Sequence, residues 1–176
     1  MTARRARLRT RLVLGALLSF VASILVFAGP AHADSFKYYY NAYLGPSHYL
    51  SYPSGEGKAK IGGIDVWRIQ QISDSPSNHD RVFLKTYDGG RCLDSHAGNV
   101  GNAAWVINCN GGDYQIWEVF YQSNGSRVFK SWGSWTQQSR HLCITSSSDP
   151  TVVNLATCSE TATRQQWYGA TAPGNE

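Results

Sequence analysis

Residues 92–117, CLDSHAGNVGNAAWVINCNGGDYQIW, carry the pattern that decides the fold of this chain of 176 residues. The stretch begins with Cys-Leu-Asp, continues to a second cysteine and a glycine-rich turn, and ends in a Gln-x-Trp triplet. The triplet recurs as Gln165-Gln166-Trp167, and a degenerate form, Asp65-Val66-Trp67, lies upstream. The three tryptophans are therefore separated by equal intervals of 50 residues. Repetition at a fixed period indicates one structural unit used several times, so we expect three units.

The second and third units share their cysteines as well as their tryptophan. Each contains two, Cys92 with Cys109 and Cys143 with Cys158. Cys-Leu-Asp, a second cysteine and Gln-x-Trp together resemble the ricin-B-type lectin repeat, and the resemblance extends over residues 36–172. It implies a β-trefoil of three repeats that binds sugars.

The first 33 residues have the composition of a secretory signal peptide. Five arginines lie between positions 4 and 11, an apolar run covers residues 12–28, and Ala31-His32-Ala33 follows. A basic head, an apolar middle and a small-x-small end predict export and cleavage after Ala33. A membrane anchor is the alternative, although the run is at the lower limit for spanning a bilayer. We expect a secreted protein, residues 34–176, without membrane attachment after cleavage.

Removal of the signal changes the charge of the chain. Five of the 16 basic residues leave with it while all 12 acidic residues stay, so the net charge falls from +4 to −1 with 11 basic residues remaining. A mature chain without a basic excess gives no support for nucleic-acid binding. Its 143 residues suit one domain with a substantial core, which we expect to be a monomer.

The four cysteines predict two disulfides. The exterior of the cell is oxidising and the chain has no Cys-x-x-Cys pair, which favours disulfides over a metal site. Four cysteines allow three pairings. Equivalent repeats should form equivalent bonds, which predicts Cys92–Cys109 and Cys143–Cys158.

The remaining pattern indicates an all-β domain. Short β-rich runs alternate with glycine-containing turns, and no long stretch keeps a helical period. Together with threefold repetition this predicts a β-trefoil with three pseudo-equivalent repeats at residues 36–77, 78–126 and 127–172. Trp67, Trp117 and Trp167 should meet in the core at the barrel axis. Gln115 and Gln165 should satisfy buried backbone groups beside them.

The first unit departs most from the pattern, because it has no cysteine and opens with many tyrosines. They are Tyr38, Tyr39, Tyr40, Tyr43, Tyr49 and Tyr52. One interpretation is that aromatic bulk replaces the missing disulfide through hydrophobic burial. The other is an exposed aromatic surface for a sugar or a protein.

The resemblance implies a sugar site that can be compared residue by residue. In these lectins the acid of Cys-x-Asp binds sugar hydroxyls, an aromatic residue two places before the second cysteine stacks on the sugar, and an Asn precedes the Gln. The second unit keeps the acid as Asp94, but has Ile107 and Tyr114 at the other two places. The third unit has Thr145, Ala156 and Arg164. At most one altered site is therefore expected, in the second unit.

Trp105 is a candidate for the stacking role that Ile107 cannot fill. Residues i and i+2 of a strand face the same side, so Trp105 points the same way as Ile107, while Ala104 and Val106 fit the inward face. Packing of Trp105 under a neighbouring loop is the alternative. The candidate ligand-binding set is completed by Tyr114, Gln115 as a support, and His96 at the rim.

Three classes of function remain. The first is a stand-alone carbohydrate-binding module for a galactose-type sugar or a polysaccharide. The second is a trefoil that has lost sugar binding and contacts proteins, as an inhibitor or surface factor. An enzyme is disfavoured, because the chain has no Gly-x-Ser-x-Gly, His-Glu-x-x-His or phosphate-loop motif. We expect no catalytic residues, cofactor or metal.

Overall fold

The computed structural model of the protein describes residues 34–74, 79–149 and 151–171, and the predicted signal peptide lies outside them. Thirteen strands run through the described residues: β1 (Ser35–Asn41), β2 (Tyr49–Ser51), β3 (Gly57–Lys58), β4 (Lys60–Gly62), β5 (Trp67–Asp74), β6 (Asp80–Thr86), β7 (Arg91–Asp94), β8 (Trp105–Asn108), β9 (Ile116–Tyr121), β10 (Ser126–Ser131), β11 (Leu142–Ser146), β12 (Val153–Thr157) and β13 (Trp167–Thr171). Helix α1 covers Trp132–Gln138, and short 3-10 helices cover Asp113–Gln115 and Thr163–Gln165. In the part of the chain described, no helix has the length and apolar character needed to cross a membrane.

Six strands close into a barrel. Strand β1 pairs with β13 and β5, β6 pairs with β5 and β9, and β10 pairs with β9 and β13, all antiparallel. Three hairpins, β2–β4, β7–β8 and β11–β12, and the short strand β3, which pairs with β8, complete the sheet. Each unit thus contributes two barrel strands and one hairpin between them. This confirms the predicted all-β trefoil.

The three repeat tryptophans form the centre of the core. Trp67, Trp117 and Trp167 are fully buried. Each indole N–H donates a hydrogen bond to a hairpin carbonyl, at 2.8, 2.9 and 3.4 Å respectively, so its polar atom is satisfied inside the core. The acceptors are the carbonyls of Leu50, Leu93 and Ile144.

These acceptors define equivalent positions in the three hairpins. Because Leu50 corresponds to Leu93, the residue after it, Ser51, corresponds to Asp94. Tyr49, the residue before it, takes the place of Cys92. The sequence alone could not align the first unit, since neither the cysteine nor the acid is present there.

Both predicted disulfides are confirmed. Cys92 is bonded to Cys109 and Cys143 to Cys158, with Cα–Cα distances of 5.0 and 4.9 Å. Each bond ties the first strand of a hairpin to the residue that follows its second strand. In the chain-entropy model, closing loops of this length stabilises the fold by about 3 kcal/mol each.

In the first unit aromatic packing takes the place of a disulfide. The Tyr49 ring packs edge-on against Tyr38 at 5.6 Å and against Tyr40 at 6.2 Å. Tyr40 also stacks on Tyr168 of β13 at 5.2 Å. These contacts agree with the interpretation of the tyrosines as packing residues, although Tyr43 is 53% exposed.

Candidate functional site

The candidate site lies on the hairpin β7–β8 of the second unit. In its register Leu93 pairs with Val106 and Asp94 with Trp105. Leu93 and Val106 are fully buried, as is Ala104, so these side chains face the core. Since side chains alternate along a strand, Asp94 and Trp105 share the outer face of the hairpin.

The register also shows which of Trp105 and Ile107 lies opposite Asp94. Ile107 is paired with Cys92, whereas Trp105 is directly opposite Asp94. Directly opposite residues of an antiparallel pair have Cβ atoms about 5 Å apart. Trp105 is therefore placed closer to Asp94 than Ile107 is, and of these two residues it is the aromatic one.

The loop after Asp94 is held in an unusual conformation. Oδ1 of Asp94 accepts a hydrogen bond from the backbone N–H of His96. His96 and Ala97 have positive φ angles of 50° and 49°, a left-handed conformation that residues other than glycine rarely adopt. The turn directs the exposed His96 ring onto Trp105, at 5.3 Å between centroids and 33° between planes. Trp105 is thus partly covered by a loop side chain and remains partly exposed.

Ser95 anchors this loop to the neighbouring elements. Its backbone N–H and its hydroxyl both donate to the carbonyl of Tyr114, at 3.0 and 3.2 Å. The same hydroxyl is 2.7 Å from Oγ of Ser131 at the end of β10. Ser95 therefore fixes the loop against both the 3-10 helix and the barrel.

Helix α1 contacts the site through the side chain of Gln138. Nε2 of Gln138 donates to the Tyr114 hydroxyl and to the carbonyl of Ala97, both at 3.2 Å. The sequence gives no indication of this helix in the site, because it belongs to an insertion of the third unit between β10 and β11. The insertion itself is visible as a longer segment between those strands than between β6 and β7.

The side chain of Gln115 hydrogen-bonds to the backbone that follows β8, next to the site. Its Oε1 accepts from the backbone N–H of Asn110 at 2.9 Å, and its Nε2 donates to the carbonyl of Asn108 at 3.0 Å. Gln165 makes the equivalent pair of bonds in the third unit. The predicted role in satisfying buried backbone groups is confirmed. Gln115 is fully buried and supports the wall of the site through these backbone bonds, and its part in ligand binding stays a prediction.

The other two hairpins lack this combination of side chains. Thr145 is paired with Asn154 in the third unit, and Ser51 with Lys60 in the first. Arg164, at the place of Tyr114, has its guanidinium 3.9 Å from the Tyr43 ring centre and bonded to a backbone carbonyl. An acid opposite an aromatic residue therefore occurs in the second hairpin alone.

The described residues contain no cluster of three or more His, Cys, Asp or Glu side chains that could bind a metal ion. What the site offers is a nearly buried carboxylate, Asp94, that is 4% exposed. Beside it lie the ring of Trp105 and the polar edges of His96 and Tyr114. These groups could contact the hydroxyls and the apolar face of one ligand.

Comparison with known proteins identifies the family. The model of the ricin-type beta-trefoil lectin domain matches residues 81–175. No curated protein matches the chain in sequence.

Solved structures show the same fold at low identity. The designed threefold symmetric protein ThreeFoil is 18% identical with a TM-score of 0.61, over 78% of this chain and 99% of its own. The Polyporus squamosus lectin, bound to a human-type influenza-binding epitope, is 17% identical with a TM-score of 0.64, over 79% of this chain. This chain spans about half of that lectin, 49%. The family match covers more than half of the chain, so the protein belongs to the ricin-type beta-trefoil lectin domain family.

Proposed function

We propose that the protein is a secreted carbohydrate-binding module with a sugar site on the hairpin of the second unit. Membership of a lectin domain family supports carbohydrate binding in general. The observation that carries the location is the cross-strand pair of Asp94 and Trp105, with the His96 ring against the indole.

The chemistry of this pair suits a sugar ring. Among the described residues, the backbone N–H of His96 is the single group that donates a hydrogen bond to the Asp94 carboxylate, and it donates to Oδ1. The second carboxylate oxygen therefore keeps its capacity to accept hydrogen bonds from sugar hydroxyls. The Trp105 indole offers a flat apolar surface to the C–H face of the ring. Tyr114 and His96 add polar contacts at the edges. The site binds and orients a sugar, and no step of catalysis is assigned to it.

A galactose-type sugar or a polysaccharide is the ligand class that the family resemblance favours. The Polyporus squamosus lectin was solved with Neu5Aca2-6Galb1-4GlcNAc, which contains galactose. Galactose-containing oligosaccharides are therefore the first probes to test.

Export is the second part of the proposal. Five arginines, an apolar run and Ala31-His32-Ala33 at the start of the chain support cleavage after Ala33. The secreted product would be a monomeric trefoil domain that begins at Asp34.

A glycan array tests the proposal. The secreted product should bind at least one glycan class, and Asp94→Ala should lose that binding while keeping the circular dichroism spectrum of the wild type. Absence of binding to every glycan by a folded protein would contradict carbohydrate recognition.

Protein contact is the second candidate function. Large apolar side chains are prominent on the surface, with Ile64 65%, Tyr87 60% and Val100 60% exposed. Exposed apolar residues favour a protein partner when they form a contiguous patch. A folded protein without glycan binding would direct attention to these residues.

A further inference from the structure

A groove of about 350 Å³ lies on the outer face of the barrel, between the second and third units. Its floor is apolar: Phe120 of β9 and Cys158 are partly exposed there, above Val128 of β10 and Cys143, which are each only 1% exposed. The volume is at the lower end of the range of about 300–1,000 Å³ found for ligand pockets. It suits a ligand the size of one or two sugar units.

The pseudo-threefold symmetry explains why the groove is open. Cys143 corresponds to Tyr49 of the first unit, since each precedes the residue whose carbonyl binds a core tryptophan. By strand register Val128 then corresponds to Tyr38. In the first unit these two tyrosine rings pack against each other at 5.6 Å and occupy the space. A valine and a half-cystine leave it free in the third.

The rim of the groove carries polar groups. His141, Thr157 and Glu160 are all exposed and line it. The Thr157 hydroxyl makes no hydrogen bond with another described residue. The carboxylate of Glu160 has one weak neighbour, Nε2 of Gln122 at 3.5 Å. These groups are available to sugar hydroxyls.

Helix α1 places an aromatic side chain next to the rim. Trp135, 39% exposed, lies outside the lining of the groove but stacks on His141, which lines it, with 4.2 Å between ring centroids and 29° between planes. The helix belongs to the insertion between β10 and β11, which is longer than the segment between β6 and β7. Trp135 therefore senses changes at the His141 ring and offers a flat apolar face beside the polar rim.

The charges favour a neutral ligand. Nζ of Lys130 is 3.2 Å from Oε2 of Glu118, and both side chains are largely buried. The pair is electrically compensated, which leaves the Glu160 carboxylate as the uncompensated charge of the groove. A negative charge at the rim repels anionic sugars.

We propose that this groove is a second carbohydrate site, which binds a neutral saccharide unit over Phe120 and the disulfide, beside the His141 ring that stacks on Trp135. It is separate from the site at Asp94. The third-unit positions equivalent to Asp94 and Trp105 are Thr145 and Asn154, and neither lines the groove. The inference therefore does not depend on the Asp94 site. Two sites on one chain would raise the avidity of the protein for a polysaccharide.

Indole NMR signals distinguish the two sites, because Trp135 reports on the groove and Trp105 on the hairpin. The protein labelled with nitrogen-15 is titrated with galactose, lactose, cellobiose, maltose, xylobiose and chitobiose, with signals assigned by Trp→Phe variants. At least one sugar should shift the Trp135 signal saturably. The double variant His141→Ala, Thr157→Val should weaken that response at least tenfold, whereas the control His48→Ala should leave it unchanged.

Any of four results would overturn the proposal. The first is that no sugar of the panel shifts the Trp135 signal. The second is that the shift survives in the double variant, and the third is that it disappears in Asp94→Asn. The fourth is that galacturonate binds the groove more tightly than galactose. A Trp105 signal that no sugar shifts would count against the hairpin site alone, so the two proposals fail separately.

Discussion

Asp94 is the residue on which the proposed function depends most. Its carboxylate ends β7, is nearly buried, and accepts a hydrogen bond from the backbone of a left-handed turn. Hydrogen bonds to a charged group contribute about 1.5–3 kcal/mol. Contacts between a sugar and exposed polar side chains at the rim are worth less, because water competes for them.

Trp105 should report ligand binding directly. We expect that Trp105→Phe removes most of the ligand-dependent change in tryptophan fluorescence, because the indole lies opposite Asp94. Wild type, Trp105→Phe and the control Trp132→Phe, at the start of helix α1, are titrated with a glycan selected on the array. A fluorescence change that persists in Trp105→Phe at unchanged affinity would remove Trp105 from the site.

Tyr121 gives the protein a predictable weakness at alkaline pH. Tyr121 is 54% exposed, and its partial burial, followed by a hydrogen bond to Asp80, raises the pKa of its phenol to about 12. The ordinary value is about 10, so the folded state favours the neutral phenol. Its contribution to stability is complete below pH about 10 and is lost as the pH rises toward 12.

This pH dependence is measured by following phenolate absorbance and unfolding by denaturant between neutral and alkaline pH. Tyr121→Phe should remove a late-titrating component and flatten the loss of stability in that interval. Burial also raises the pKa of Tyr39, which should remain as a second late component. Identical titration curves for wild type and Tyr121→Phe would contradict the assignment.

The hairpins are the elements that carry the differences between the units. The hairpin of the second unit has a disulfide and Asp94, the hairpin of the third unit has a disulfide without an acid, and the hairpin of the first unit has neither. The disulfides stabilise two hairpins to a similar extent, whereas the candidate sugar site belongs to one of them.

Removing the two disulfides separately distinguishes stability from function. The double variants Cys92→Ser, Cys109→Ser and Cys143→Ser, Cys158→Ser should each lose about 3 kcal/mol of unfolding free energy, because the closed loops have similar lengths. Denaturant unfolding measures the loss, and glycan titration of the folded variants measures binding. Weaker binding at the hairpin site is expected for the first variant alone. Equal loss of binding at that site in both would disconnect it from the β7–β8 hairpin.

Helix α1 depends on a glycine. A Cβ atom at Gly133 would lie 2.6 Å from the backbone nitrogen of Tyr114, so the helix could not keep its contact with the 3-10 helix. We expect Gly133→Ala to destabilise the protein by about 1–3 kcal/mol, as overpacking does, and to loosen the Gln138 contacts. Gly63→Ala is the matched control, since nothing lies within 4 Å of a Cβ there. Equal thermal stabilities of the two variants would contradict this packing.

At the scale of the whole molecule, the sequence predicts the fold because rare residues mark the repeats, tryptophan in all three and cysteine in the second and third. Tryptophans at a fixed period and two cysteine pairs predict the three units and the disulfides. Alternation along β8 also predicts the direction of Trp105, because Ala104 and Val106 must face the core. Gln115 as a support for backbone groups follows from the same pattern.

Two features could not be predicted. The first unit replaces its cysteine with Tyr49 and its glutamine with Asp65, so its alignment appears only through the hydrogen bond from Trp67 to Leu50. Helix α1 is seven residues long, too short to show a helical period, and its place beside Tyr114 is a tertiary contact. Propensity and periodicity do not report contacts between elements distant in sequence.

The central claim is that sugar binding by the repeat pattern survives in the second unit alone. Isothermal titration of wild type, Asp94→Asn and Thr145→Val with the selected glycan tests it directly, since an asparagine oxygen can still accept the His96 N–H and keep the loop. We predict that Asp94→Asn weakens binding by about 1–3 kcal/mol, on the order of 5- to 150-fold, and that Thr145→Val binds like the wild type. Unchanged affinity in Asp94→Asn, with binding abolished in Thr145→Val, would contradict the claim.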